Sequence, residues 1–195
     1  MPAMAQTFDV CIRGSGIVGR TLALLLARDR LRVALVGPGD TPSSAEPHED
    51  VRAYALNAIS RGLLQSLRAW PDARHATPVA RMEVQGDQDG CVHFDATAQG
   101  VDALAWIVDV PALEARLAEA VRYQPQVELV SSPVPATLTA VCEGRASRTR
   151  DEFGVEFATT PYAQQAIAAR LHCAAPHGQT ARQWFQTDGG ILAFL

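Results

Sequence analysis

A glycine-rich turn near the start of the chain restricts its fold more than any other feature. It reads Gly14-Ser15-Gly16-Ile17-Val18-Gly19 and follows Phe8 to Ile12, which reads as a short buried strand. Glycine at position 14 permits a tight turn out of a buried strand, and at 16 it lets a backbone approach a bound group closely. Gly19 lets the following helix pack tightly on the sheet. The stretch Ile17 to Arg30 reads as that helix, with Leu22, Leu25 and Leu26 on its apolar face. Leu31 to Val36 reads as a second strand closed by Gly37-Pro38-Gly39. Strand, glycine turn, helix and strand in about thirty residues make a βαβ unit with parallel strands. The helix start in such a unit presents unpaired N–H groups and a positive dipole end, which suit a pyrophosphate. A purely structural glycine turn is the alternative reading.

Beyond this opening the patterns alternate. Thr41 to Asp50 is polar and reads as a loop, and Asn57 to Trp70 as a helix with Ile59, Leu63, Leu64 and Leu67 at helical spacing. Val79 to Asp95 reads as short strands around a Gly86–Gly90 turn, and Val110 to Arg122 as a helix capped by Asp109. The core face of that helix is Leu113, Leu117, Ala120 and Val121. Val127–Val130 and Leu138–Cys142 are strand candidates, and Ala163–Cys173, Thr180–Gln186 and Ile191–Leu195 suggest an antiparallel series. The expected fold class is therefore α/β, with a parallel sheet interleaved with antiparallel material in two discontinuous domains.

Composition excludes several functions. A net charge of −4 gives no pull toward nucleic acid. No uninterrupted apolar stretch is longer than Leu22 to Ala27, which is too short to span a bilayer, so membrane contact is expected to be peripheral. The segment Met1 to Thr7 has no basic region of a signal peptide, and the four cysteines, Cys11, Cys91, Cys142 and Cys173, form no CxxC pair. A reducing, cytoplasmic setting fits them. His172, Cys173 and His177 lack a fourth partner, so no metal site is expected.

Two further segments carry chemistry. Asp50-Val51-Arg52-Ala53-Tyr54-Ala55-Leu56-Asn57 leads toward a helix, and Glu143-Gly144-Arg145-Ala146-Ser147-Arg148-Thr149-Arg150 follows a strand. Each alone reads as well as a polar helix start or a solvated arginine-rich loop. In this order after the glycine turn, the set resembles the FAD-dependent hydroxylases of ubiquinone biosynthesis, flavin monooxygenases built like para-hydroxybenzoate hydroxylase. The middle segment matches that family at Asp50, Arg52 and Leu56. The late one matches at Gly144, Arg145, Ser147 and Arg150, with Glu143 where the family usually has Asp.

The resemblance implies a Rossmann-like FAD-binding domain over residues 1–77 and 109–160, and part of a substrate domain over 78–108 and 161–195. It implies FAD as cofactor, NAD(P)H as reductant and O₂ as co-substrate, acting on a lipophilic phenol. The flavin carries the oxygen chemistry; the protein binds, orients and excludes water. Cofactor-binding candidates are Gly14, Ser15, Gly16, Gly19, Arg52, Glu143 and Gly144, with no catalytic acid or base assigned. Arg52 is expected to reach phosphate or ribityl oxygens with its guanidinium fork, and Glu143 and Gly144 to lie near the groove where NAD(P)H approaches.

Three departures from the family stand out. Gly37 occupies the place of a ribose-binding carboxylate, with Asp40 nearby, so Gly37→Glu is expected to leave affinity equal or better. Only seven residues separate Val130 from Leu138, where relatives carry a longer excursion. Nothing before Leu195 resembles the family's second flavin motif, so the chain reads as an N-terminal half that does not hydroxylate alone. Its last apolar strand is expected to leave an edge open to self-association. A NAD(P)-dependent dehydrogenase and a non-catalytic assembly partner are the alternatives.

Overall fold

A computed structural model describes residues 7–37, 50–187 and 189–195. The Pro38-Gly39 part of the predicted turn, Asp40 and most of the polar loop up to Asp50 lie outside them. The chain divides into two discontinuous units. One comprises Met1–Glu49, Leu67–Ala69 and Glu114–Ile167; the other comprises Asp50–Ser66, Trp70–Leu113 and Ala168–Leu195. The sequence reading places its breaks instead after residues 77, 108 and 160, and assigns residues 50–77 to the nucleotide-binding part.

The first unit is built on a parallel sheet. Strand β1 (Phe8–Arg13) leads through the glycine turn to helix α1 (Ile17–Arg28) and back to β2 (Val33–Val36). β1 and β2 pair in parallel from Val10↔Val33 to Arg13↔Val36, as the βαβ pattern predicts. The sheet is completed by β8 (Val127–Val130) beside β2 and β9 (Ala136–Val141) beside β1, both parallel to their neighbours. Val10, Cys11, Ile12, Val33, Ala34 and Leu35 are all buried, as expected for the central strands of a covered parallel sheet. The face of α1 differs from the leucine stripe read from sequence. Gly19, Ala23, Leu24 and Ala27 are its buried residues, because close packing at Gly19 turns the small side chains inward.

Only residues 131–135 join β8 to β9, which lies three strands away and starts back at the level of Phe8. That path is roughly 20 Å, about the full reach of so short a link. The link has no slack for strands of its own.

The second unit holds two sheets. In one, β3 (Ala53–Leu56) and β4 (Ala76–Val79) flank β7 (Ala105–Asp109), both antiparallel to it. β3 corrects the reading of Asp50–Asn57 as a plain helix lead-in: Tyr54 and Leu56 pair with Val108 and Trp106 before α2 (Ala58–Ser66) begins. The Asn57 side chain accepts from Ser60 N–H at 2.9 Å and so starts that helix. Of the predicted apolar face of α2 only Leu64 is buried, while Ile59 is 82% exposed. Arg61 instead anchors this helix, its guanidinium 4.4 Å from the Trp106 ring centroid, with Trp70 edge-on to Trp106.

The other sheet has the order β11-β10-β5-β6, from β5 (Arg81–Gln85), β6 (Cys91–Asp95), β10 (Thr180–Phe185) and β11 (Ile191–Phe194). Segments from 79–95 and 163–195 do share one sheet, and Gly86–Gly90 does turn a hairpin. The sheet is mixed rather than antiparallel, however, because β10 runs parallel to β5. Residues 163–173 form no strand. Ile167 and Leu171 are exposed there, and no neighbour pairs with them. Helix α3 (Val110–Arg122) buries Leu113, Leu117 and Val121, matching the predicted face except for the half-buried Ala120.

Candidate functional site

The glycine turn sits at the C-terminal edge of the parallel sheet, where ligands of open α/β sheets bind. Each glycine there has a separate reason. Gly14 has φ +114°, and a Cβ on it would lie 2.5 Å from the Cys142 carbonyl oxygen at the end of β9. A Cβ on Gly19 would overlap the Gly14 carbonyl oxygen at 1.8 Å. Gly16 is the reverse case: a Cβ there would meet nothing within 4 Å. Its glycine is therefore not demanded by protein packing, and the open space beside it suits a group that approaches the backbone. Gly16 also caps α1 with no side-chain hydrogen bond, and no acidic residue stands in the first turn. The partial positive charge of that helix end is thus left uncompensated by its own residues. The donor set fits the pyrophosphate of a dinucleotide.

Ser15 lies over the end of β2. A Cβ on Gly37 would come within 3.0 Å of Ser15 Oγ, while Gly37 N–H donates to the Val130 carbonyl at 3.1 Å. The place where a ribose carboxylate is expected is therefore crowded by a serine hydroxyl. A Gly37→Glu side chain would have to displace Ser15 before it could reach a ligand, which tempers the expectation of unchanged or improved affinity.

Glu143 and Gly144 follow β9 directly and stand beside the turn: a Cβ on Gly14 would be 2.9 Å from Glu143 N. The Glu143 carboxylate is occupied by its own segment. It accepts from Ser147 Oγ at 2.7 Å, Thr149 Oγ1 at 2.6 Å and Thr149 N–H at 3.2 Å. The Thr149 and Ser147 hydroxyls, with Arg13 nearby, hold its pKa below the usual carboxylate range. Gly144 takes φ +73° and opens a one-turn helix, Gly144–Ala146, with nothing crowding its Cα. Arg150 donates to the Arg145 carbonyl and stacks on the Phe157 ring at 3.9 Å from its centroid.

Sequence reasoning missed Arg13 and Glu152. Arg13 ends β1, immediately before Gly14, and its Nη1 and Nη2 donate to Glu152 at 2.6 and 3.2 Å. Its Nε also lies 3.5 Å from Glu143 Oε1. The available signal was a cation placed directly after the buried residues Val10, Cys11 and Ile12.

Gly14, Ser15, Gly16, Gly19, Glu143 and Gly144 thus form one group in the first unit. Arg52 belongs to the second unit, where Asp50 takes its fork: Nε at 2.8 Å from Oδ1 and Nη2 at 2.6 Å from Oδ2. The side-chain bond to Arg52 brings the pKa of Asp50 down to about 2. Also in that unit, Asp109 faces Arg170 Nη2 at 3.1 Å and His75 Nδ1 at 3.4 Å. Among the described residues no group of three His, Cys, Asp or Glu could hold a metal ion, and no helix is long and apolar enough to cross a membrane.

No family model matches the chain. It is 27% identical to 3-demethoxyubiquinol 3-hydroxylase of Escherichia coli, over 94% of this chain and 53% of that protein. The chain spans about half the length of the curated relatives it matches. Among solved structures, PqsL of Pseudomonas aeruginosa, described as a probable FAD-dependent monooxygenase, superposes with a TM-score of 0.67 at 21% identity, covering 97% of this chain and 57% of that one. The p-nitrophenol 4-monooxygenase PnpA of Pseudomonas putida gives 0.56 at 20% identity, covering 77% and 44%. In its parallel sheet with the glycine turn and its accompanying mixed and antiparallel sheets, the chain shares the fold of these monooxygenases, and in sequence it is similar to 3-demethoxyubiquinol 3-hydroxylase.

Proposed function

We propose that these 195 residues provide the ADP-binding part of an FAD-dependent aromatic-ring hydroxylase that uses NAD(P)H and O₂ on a lipophilic phenol. One observation carries the proposal: the open space at Gly16 beneath the uncapped start of α1. When bound, the flavin would supply the redox and oxygen chemistry. The chain's part is binding and orientation. The α1 N–H groups and the backbone at Gly14–Gly16 would hold the pyrophosphate, and Ser15 would face the ribose side. Gly19 keeps the helix start close against the turn. Arg52 would serve the flavin side only by sharing or leaving Asp50, so that pair is a control point for its role.

A ubiquinone-pathway phenol is the proposed substrate class, supported by the name of the Escherichia coli relative, and peripheral membrane contact of a cytoplasmic protein is the setting such a substrate favours. The dehydrogenase alternative draws on the same turn but has no support from the relatives' names. Spanning about half of its relatives' length, the chain by itself is proposed to bind the ADP moiety without completing a hydroxylation. Two halves of the reading are tested by adding FAD to the chain and measuring retained flavin and phenol-dependent NAD(P)H oxidation. Weak flavin retention without turnover is expected. Stoichiometric FAD with phenol-stimulated NAD(P)H consumption would contradict the half-enzyme reading, and no flavin interaction at any concentration would contradict the cofactor assignment.

A further inference from the structure

The cation at the end of β1 has no place in the function proposed so far. Arg13 is the last residue of its strand and is joined to Gly14 by one peptide bond, so any displacement of Arg13 moves the turn. Its guanidinium lies between two carboxylates, Glu152 at 2.6 Å and Glu143 at 3.5 Å. Glu143 is itself fixed by Ser147 and by Thr149, which is fully buried. On the backbone, Cys142 N–H donates to the Arg13 carbonyl at 2.7 Å, and the Cys142 carbonyl is the atom that leaves Gly14 no room for a side chain. Side chain and main chain thus tie the glycine turn to the 143–152 segment at the same level of the sheet.

Charge gives this arrangement a second consequence. Without a cation between them, Glu143 and Glu152 would repel each other, and both would stand beside a site suited to an anion. Arg13 and Glu143 are 17% and 25% exposed, so that pair is screened less than a surface pair, whereas Glu152 stands in solvent. Its fork engages Glu152 through two nitrogens, a geometry that a lysine cannot reproduce.

We propose that Arg13 is a positioning residue for the phosphate cradle: bound between Glu143 and Glu152, it sets the glycine turn against the 143–152 segment and cancels carboxylate charge there. The inference rests on the dinucleotide reading of the turn. It is tested by titrating ADP into the full 195-residue chain and into Arg13→Met, Arg13→Met/Glu152→Gln and Arg13→Lys, with thermal unfolding of each. Arg13→Met is expected to weaken ADP binding about tenfold, the scale of one lost charge-assisted contact. Removing the excess charge with Glu152→Gln should bring affinity back to within about threefold of the parent, because an exposed carboxylate contributes little once unopposed repulsion is gone. A merely structural role would give no such recovery.

Wild-type affinity in Arg13→Met overturns the inference, and so does a loss that Glu152→Gln fails to ease and that follows the drop in Tm. If Arg13→Met does not fold, Arg13→Lys decides: weaker ADP binding supports the fork, and wild-type affinity overturns it. A wild-type chain that binds no ADP overturns the dinucleotide reading itself and the inference with it, whereas ADP binding indifferent to Arg13 overturns the inference alone.

Discussion

At the scale of single residues, the three glycines of the turn are not equivalent, and the structure separates their roles. Gly14 and Gly19 are required by the protein; Gly16 is left free by it. Gly14→Ala combines a left-handed φ with a clash against the Cys142 carbonyl. It is expected to cost at least about 2 kcal/mol in a chemical-denaturation measurement. Gly16→Ala should leave stability within about 0.5 kcal/mol, the usual range for sites without packing. Equal losses in the two variants would show that the turn is not built as described. These glycines were legible in the sequence because each constraint arises from a few neighbouring residues. Arg13 with Glu152 was not, since the partners are 139 positions apart and only the sheet register brings them together. Arg52 shows the opposite failure: the motif identified the residue, but the motif alone did not reveal that Asp50, two positions away, binds its fork.

At the scale of elements, patterns with one dominant period were read well. β1, β2, β8 and α3 fall within two residues of their expected limits; the buried central strands β1 and β2 and the helical stripe of α3 leave little ambiguity, and β8 is a short apolar run that the proline-rich segment after it closes. β3 was missed because four residues after a charged Asp-x-Arg carry almost no period of their own; its identity comes from pairing with β7. The direction of β10 is likewise a nonlocal property, decided by its register with β5 and invisible in Thr180–Phe185 alone. Strand β11 raises a different question. It is an edge, and Ile191, Leu192 and Phe194 on it are 57%, 44% and 46% exposed. Such an edge can pair with a second copy. We expect the chain to self-associate with rising concentration in sedimentation, and Leu192→Lys to lower that tendency. A chain that stays monomeric at high concentration, and a variant indistinguishable from it, would remove the edge as an association surface.

At the scale of the whole molecule, the chain spans about half the length of the curated relatives it matches. The parallel unit brings together the turn, the uncapped start of α1 and the Glu143–Glu152 segment, so it is the unit to which ligand binding is assigned. The short link at residues 131–135 shows how this unit keeps four parallel strands with almost no connecting chain between the last two. The glycine turn of that unit is proposed to hold the ADP half of a dinucleotide. The most direct test is calorimetric titration of ADP into the 195-residue chain and into Gly16→Val, with Tm recorded for both. Saturable, one-site binding to the parent is expected, weakened about tenfold or more in Gly16→Val, where a side chain enters the space left for the pyrophosphate. Tm without ligand should be nearly the same for both. Absent binding to the parent chain, or equal affinity in the two, would contradict that proposal.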